Sequence, residues 1–193
     1  MELDLTQLII IDLEASCWRK NPPDGQESEI IEIGICPFEI PTATPLHKRS
    51  LLVKPIRSKI SDFCTKLTTL TQSQVDGGTS FEEACHILRT EYQAERYAWA
   101  SWGSYDLKMF RAQCEGFQVA YPFSECHIDL KTVYANLRTK GYRVGMSRAM
   151  RNEGVPLQGI HHRGHDDAWN TARLLQKLFA LHGNDLLESY LNP

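Results

Sequence analysis

The sequence lacks any long hydrophobic run. No apolar stretch among its 193 residues approaches the roughly 20 residues that a membrane-spanning helix needs. The first five residues, 1–5, are acidic at positions 2 and 4 and lack the basic start of a secretory signal. We therefore expect a cytoplasmic protein that has no membrane partner.

Closely spaced cysteines are also lacking. The six cysteines lie far apart, and none forms the Cys-x-x-Cys pair that is typical of structural zinc sites. Each is interpreted as a reduced and mostly buried small hydrophobic residue. A structural zinc site is therefore not expected.

An excess of positive charge is lacking as well. The net charge of −3 gives no indication of nucleic-acid binding by the chain as a whole. Between residues 126 and 165, however, seven basic residues stand against two acidic ones, a local excess of five positive charges. Such a segment can contact phosphates, or it can simply be a solvated basic face. Charge alone favours the solvated face.

The pattern of hydrophobic residues predicts one α/β domain over residues 1–193. Apolar runs and alternation predict strands at residues 7–16, 30–35, 50–53, 97–102 and 126–128. Helical spacing and capping residues predict helices at residues 80–92, with Ser80 or Thr79 as cap, 106–114, 129–139, 147–152 and 165–181. The first three strands are close in sequence and are expected to be antiparallel, in a mixed sheet flanked by helices.

Two carboxylates end the first predicted strand, at Asp12 and Glu14. Strand side chains alternate, so both point to the same face, where their repulsion is expected to raise the pKa of at least one of them. A divalent cation between them removes this penalty, and their hard oxygen atoms suit Mg²⁺ or Mn²⁺ better than zinc. In the structural alternative, one is a surface charge and the other caps a turn.

A third acidic residue of interest, Asp106, follows a predicted strand and opens a predicted helix. An aspartate in the first turn of a helix is stabilised by the helix dipole whatever its function. This structural explanation accounts well for Asp106 taken alone.

The stretch 161–170 is the most specific one in the chain. A glycine-containing loop with three histidines, His161, His162 and His165, runs into a helix whose first turn holds Asp166 and Asp167. Asp166 is predicted to cap the helix, which leaves Asp167 free to face the sheet. Histidines at these spacings match no usual structural zinc site, although a surface loop with incidental histidines remains open as an alternative.

Together these segments resemble the DEDD superfamily of 3′→5′ exonucleases, in its histidine-bearing DEDDh branch, and within it the Eri-type RNA 3′-exonucleases. The resemblance rests on segments in family order over nearly the whole chain, namely 10–17, 29–34, 60–64, 67–72, 102–106, 128–130 and His162-x4-Asp167. One departure is Thr69, where the family commonly has glycine. The resemblance implies an RNase H-like fold.

The resemblance also implies a mechanism and its residues. Two metal ions, Mg²⁺ or Mn²⁺, are expected to be held by the carboxylates of Asp12, Glu14, Asp106 and Asp167, with His162 as general base. The substrate would be the 3′ end of single-stranded RNA or DNA, with RNA favoured, and the products 5′-mononucleotides. The expected contacts with the terminal nucleotide are backbone groups near Ala15 and Ser16, Leu70 as a wedge, Trp102 and His162.

Three other functions remain open at this point. The same chemistry on DNA, as in a proofreading or repair exonuclease, is the nearest, because no residue reads the 2′-hydroxyl unambiguously. A catalytically inactive nucleic-acid-binding protein would be expected to have lost an acid or the histidine, whereas all five are present. A small-molecule phosphohydrolase is the third.

Overall fold

A six-stranded mixed sheet forms the centre of the computed structural model, which describes residues 3–191. The strands are β1 (Gln7–Ala15), β2 (Ile30–Glu39), β3 (Thr44–Pro45), β4 (Arg49–Leu52), β5 (Ala98–Ser101) and β6 (His127–Asp129). The helices are α1 (Asp62–Thr68), α2 (Gln72–Asp76), α3 (Phe81–Thr90), α4 (Tyr105–Phe117), α5 (Leu130–Arg138), α6 (Met146–Asn152), α7 (Gly164–His182) and α8 (Glu188–Leu191), with a 3-10 turn at Asn184–Leu187.

The strand order confirms the predicted mixed sheet. It is β3-β2-β1-β5-β6, with β4 also paired to β2. The three longer strands at the start of the chain, β1, β2 and β4, pair antiparallel, whereas β5 and β6 run parallel to β1. Strand β2 continues four residues past its predicted end, because Cys36 and Phe38 are both fully buried and carry the strand on through Pro37.

Both faces of the sheet are covered, which explains the unbroken apolar run in β1. Leu8 and Ile10 pack with α5, α6 and α7 on one face. Ile9 and Ile11 lie on the other face, with Trp99 and the apolar sides of α3 and α4. Side-chain alternation therefore divides one hydrophobic run between two cores.

The helix ends follow from local capping. Ser80 is the N-cap of α3 and its hydroxyl accepts a hydrogen bond from the Glu83 amide, which selects Ser80 over Thr79. Helices α1 and α2 were not part of the predicted pattern; Ser61 and Thr71 cap them. None of the helices within residues 3–191 has the length and apolar character needed to cross a membrane.

Two glycines bring α7 against the sheet. A Cβ atom placed on Gly34 of β2 would lie 1.9 Å from the carbonyl carbon of Gly164, the first residue of α7. A Cβ atom placed on Gly164 would lie 2.9 Å from the carbonyl oxygen of Asp12. The start of α7 therefore touches the backbone of β1 and β2, which no larger residue at position 34 would allow.

Candidate active site

Strand β1 places Asp12 and Glu14 on one face of the sheet, as its alternation predicts. Their partners across the antiparallel pair are Gly34 and Glu32. Asp12 is half-buried and Glu14 is buried. Because residue 34 has no side chain, the space in front of Asp12 is filled by the start of α7.

Helix α7 adds a third carboxylate, that of Asp167. It is buried in the first turn of the helix, and one oxygen atom each of Asp12, Glu14 and Asp167 lie within 4.8 Å of one another. The glycine contact between β2 and α7 makes this distance possible. Residues separated by about 150 positions in the chain therefore share one acidic cluster.

Asp106 reaches the same end of β1 from the other side. It lies buried in the first turn of α4, and its Oδ1 accepts a hydrogen bond of 2.9 Å from the backbone N–H of Leu13. Leu13 stands between the two β1 carboxylates, so this bond ties α4 to the strand at the acidic cluster. Asp106 is not part of the set of three oxygen atoms within 4.8 Å.

Burial and like charge raise the pKa values of these carboxyls. Burial raises the pKa of Glu14 to about 8, and the charge of Asp167 adds to the rise. Burial also raises the pKa of Asp12 well above its usual range, with the charges of Asp106 and Asp167 contributing. Burial raises the pKa of Asp106 to about 6, even though the N–H of Leu13 stabilises its ionised form. The cluster therefore favours a bound proton or cation.

The donor set fits a divalent metal ion. Three mutually repelling carboxylates with oxygen atoms within 4.8 Å of one another, and a fourth beside them, provide only hard oxygen ligands. Mg²⁺ and Mn²⁺ prefer such ligands, whereas sulfur and imidazole groups favour softer ions.

A fifth carboxylate, that of Glu32, holds the start of α7. It is fully buried and accepts hydrogen bonds from Arg163 Nε (3.1 Å) and the Gly164 amide (3.0 Å), and it contacts His165 Nδ1 (2.8 Å). Ser50 of β4 donates to the same carboxylate. Burial opposes its ionisation, but the hydrogen bonds from Arg163, Ser50 and His165 outweigh this effect and keep its pKa below the usual value.

The role of Glu32 was not predicted, although its position in the sequence indicates a buried charge. A single charged residue interrupts the apolar run at 30–35, in a strand whose neighbours are all buried. A charge in such a position needs several partners. The partners come from residues 163–165, more than 130 positions away, and spacing alone does not reveal them.

The histidine loop places His161 and His162 differently. His162 has a left-handed backbone (φ 66°), and its N–H donates to Asp167 Oδ2 at 2.9 Å. The ring that contacts Asp167 is that of His161, whose Nδ1 lies 2.9 and 3.1 Å from the two carboxylate oxygens. The two rings stack with centroids 4.0 Å apart. The contact of His161 was not predicted.

The prediction that Asp166 caps α7 is wrong. Arg163 is the N-cap residue, with no side-chain cap bond, and Asp166 lies in the first turn. Its carboxylate accepts from the Ile160 amide at 2.7 Å and forms an ion pair with Lys48. Asp166 therefore closes the histidine loop and does not start the helix, because Lys48 reaches it from the segment before β4.

The predicted contacts of the terminal nucleotide are only partly accessible. Ala15 ends β1 beside the cluster and Ser16 follows it, but both are buried, and the Ser16 N–H already donates to the Glu29 carbonyl at 2.8 Å. Leu70 is fully buried with Cys64 and its neighbours and exposes no side-chain surface as a wedge.

Trp102, the remaining predicted contact, is half-buried in the described structure. Its Nε1 donates to the Val144 carbonyl at 3.1 Å, and its ring packs against Tyr134. These contacts fix the tryptophan between β5 and the segment that leads into α6, so most of its surface serves packing.

The basic segment at 126–165 is partly neutralised. Arg138 pairs with Glu153, Arg143 with Asp129, and Arg163 with the buried Glu32. The other four basic residues of the segment have no ion pair among residues 3–191; they are Lys131, Lys140, Arg148 and Arg151. Three of these basic residues therefore form ion pairs within the protein, and the other four can contact a ligand.

Comparisons with known proteins show which family the chain is similar to. The family model described as Exonuclease matches residues 9–175. The chain is 30% identical over 188 residues to "3'-5' exoribonuclease 1" of Homo sapiens, which covers 89% of this chain and 52% of that protein. It is 27% identical to "3'-5' exonuclease Snipper" of Drosophila melanogaster, over 89% of this chain and 68% of that protein.

A solved structure shares the fold closely. The nuclease domain of 3'hExo, a DEDDh family member bound to rAMP, superposes with a TM-score of 0.84 at 28% identity, over 93% of this chain and 94% of that one. The chain spans about half the length, or less, of the first curated relatives it matches. The predicted resemblance is confirmed, and the chain belongs to the exonuclease family, with a DEDDh nuclease among its structural relatives.

Proposed function

We propose that this chain is a 3′→5′ exonuclease of single-stranded nucleic acid, organised as one domain over residues 1–193. The observation that carries the proposal is the convergence of Asp12, Glu14 and Asp167 oxygens within 4.8 Å, beside the loop of His162. RNA is the favoured substrate, because the human relative is named an exoribonuclease and the similar nuclease domain is bound to rAMP.

The exonucleases of this family use divalent metal ions. We propose that two Mg²⁺ or Mn²⁺ ions are held by Asp12, Glu14, Asp106 and Asp167. When bound, such ions lower the pKa of water and offset the charge that develops on the phosphate. The raised pKa values of the free carboxyls support this assignment, because a cation removes their mutual repulsion.

His162 is the proposed general base. Burial lowers the pKa of its imidazole, so the ring is neutral near pH 7 and has a lone pair to accept a proton. A water oxygen forms the new bond to the terminal phosphorus while the bond to the 3′ oxygen of the preceding nucleotide breaks. The proton of the water goes to His162, and the leaving oxygen takes a proton from solvent. A 5′-mononucleotide is released.

The terminal nucleotide is proposed to lie at the end of β1, near Ala15 and Ser16 and opposite His162. Leu70 would contact it as a wedge only after the Thr69 turn moves, because its side chain is buried. Trp102 offers a base the exposed part of its ring, and a stacked base contributes about 1–3 kcal/mol.

Digestion of 5′-labelled RNA and DNA oligomers, with Mg²⁺ or Mn²⁺ and with an EDTA control, tests the function. Stepwise shortening from the 3′ end is expected, faster on RNA. Asp12→Ala and Asp167→Ala should fold normally and lose about 1000-fold in rate, since metal catalysis contributes several kcal/mol. Asp24→Ala, in an exposed turn, is the matched control.

Three outcomes would contradict parts of this proposal. Full turnover by either cluster variant would remove the assignment of the active site. Faster digestion of the DNA oligomer would reverse the substrate preference. Binding of the labelled oligomers without any cleavage would favour a nucleic-acid-binding protein.

A pH–rate profile tests the base. His162→Ala should be slowed by about 10²–10⁴-fold at neutral pH, and should recover partly in alkali, where hydroxide replaces the base. His86→Ala, an exposed residue of α3, is the control. A profile that does not change in the His162 variant would assign the base to His161 or His165.

A cytoplasmic location belongs to the same proposal. All six cysteines are free, and four of them are buried. Free thiols persist in reducing compartments, so this pattern supports the location.

A further inference from the structure

The imidazole of His161 can bind a metal ion, and it has no role in the proposed mechanism. Its Nδ1 lies 2.9 Å from Asp167 Oδ2, and its ring stacks on that of His162 at an interplanar angle of 23°. Ligand atoms of His161, His162 and Asp167 all lie within 4.8 Å of one another. Two imidazoles and one carboxylate therefore converge beside the acidic cluster, and they share Asp167 with it.

This second set selects a different kind of cation from the acidic cluster. Two histidines and a carboxylate suit Zn²⁺, with a fourth position left for water. Zinc bonds of about 2.0–2.1 Å place neighbouring ligand atoms roughly 3.4 Å apart. The His161–Asp167 pair, at 2.9 Å, is closer than this, and the three ligand atoms all lie within 4.8 Å of one another, so the side chains rotate to admit the ion. The His161 side chain is 42% exposed, so an ion can enter from solvent.

Ser147 supports His161 as a ligand. Its Oγ lies 3.0 Å from His161 Nε2, the ring nitrogen that faces away from Asp167. Metal-binding histidines almost always use the second ring nitrogen in a hydrogen bond, which fixes the ring and its tautomer. Ser147 belongs to α6, which is fixed by the buried side chains of Met146 and Ala149. The orientation needed for metal binding is therefore already held by a packed helix.

We propose that His161, His162 and Asp167 form an inhibitory site for Zn²⁺. A zinc ion here takes Asp167 away from Asp12 and Glu14, and it occupies the nitrogen lone pair of His162. Because His162 then has no lone pair to accept the proton of water, binding of Zn²⁺ stops the proposed reaction. The binding part of this proposal stands by itself, whereas the inhibition part rests on the proposed exonuclease function.

Cobalt provides the test of binding on the full, metal-free chain. Co²⁺, used as a probe for zinc, should produce the visible absorption of a tetrahedral nitrogen–oxygen site, and Zn²⁺ should displace it. His161→Ala should lose this absorption, and Ser147→Ala should weaken Zn²⁺ binding by about tenfold or more. His86→Ala should behave as wild type. Equal Zn²⁺ affinity in wild type and His161→Ala would overturn the site.

Inhibition is measured with saturating Mn²⁺ and increasing Zn²⁺, and each variant is compared with its own rate without zinc. The Zn²⁺ concentration for half-inhibition should rise by at least about tenfold in His161→Ala. Inhibition that does not depend on His161 would place zinc in the carboxylate cluster and refute the proposal. If the wild type cleaves no oligomer, the exonuclease function fails, while the cobalt result still decides the site.

Discussion

Thr69 carries a backbone conformation that suits glycine better than threonine. It is the C-cap of α1 with φ 65°, in the left-handed region, at the position where the resembling family commonly has glycine. A β-branched residue in this region is strained by about 1–2 kcal/mol. Thr69→Gly is therefore expected to raise the free energy of unfolding by about 1 kcal/mol, as measured by urea denaturation.

Thr65→Gly is the matched control, because it makes the same substitution in the same helix at a position with ordinary helical geometry. It should lower the free energy of unfolding by about 0.5–1 kcal/mol, since glycine in a helix costs conformational entropy. If both variants are destabilised alike, Thr69 is not strained.

The residues of the acidic cluster differ in how well the sequence predicts their positions. Alternation along a strand is a local rule, so the shared face of Asp12 and Glu14 follows from their spacing. Asp106 and Asp167 reach the cluster only through packing of α4 and α7, and before that packing is known their positions rest on resemblance. His161 illustrates the limit, because a one-residue offset within a loop does not indicate which of two adjacent rings meets Asp167.

The contact of α7 with the sheet depends on the absence of a side chain at Gly34. Gly34→Ala would place a Cβ atom 1.9 Å from backbone atoms of Gly164, where no flexible group can yield. We expect a loss of about 3 kcal/mol in unfolding free energy. The rate of oligomer cleavage should fall more than the amount of folded protein does, because Asp167 moves away from Asp12.

Gly77→Ala controls for the change from glycine to alanine. Gly77 caps α2 with an ordinary φ of −81°, and the nearest atom to an added Cβ lies 3.5 Å away. This variant should match wild type or gain up to about 1 kcal/mol. Wild-type activity in Gly34→Ala would show that the close contact does not position the cluster.

Elements with long apolar runs were predictable, whereas the short helices α1 and α2 were missed although Ser61 and Thr71 cap them locally. The long apolar runs and the Ser80 cap define most strands and helices within one or two residues of their observed bounds. The far end of β2 and the role of Asp166 were missed, because each depends on partners distant in the chain. The far end of β2 is held by burial of Phe38 in the core that it shares with α7. Asp166 pairs with Lys48, 118 positions earlier in the chain.

The stability of the whole metal-free molecule should depend on pH in an unusual direction. The pKa of Asp106 is raised from 3.8 to about 6, and that of Glu14 from 4.5 to about 8. A raised pKa contributes stability that is complete below the unfolded value and is lost as pH rises through the folded value. The melting temperature in EDTA should therefore fall between about pH 5 and pH 8, by about 2–4 °C for each kcal/mol lost.

Two measurements check that the carboxyls of the acidic cluster cause this pH dependence of the melting temperature. Mn²⁺ should raise the melting temperature more at pH 8 than at pH 5.5, because it replaces the protons that the cluster has lost. Glu14→Gln should flatten the pH dependence in EDTA, whereas Asp24→Asn should leave it unchanged. A melting temperature that rises towards pH 8 in EDTA would mean that the cluster is not strained by its own charge.

The hydrogen bonds of Glu32 to residues 163–165 hold the start of α7 against the sheet without using the proposed metal ions. Its carboxylate is not among the proposed metal ligands, and its partners are all protein groups. We therefore expect a chain without bound ions to keep α7 in place, so that ions would bind by ligand exchange without a refolding step. The concentration of free cation, rather than the synthesis of new protein, would then set the fraction of chains that are active.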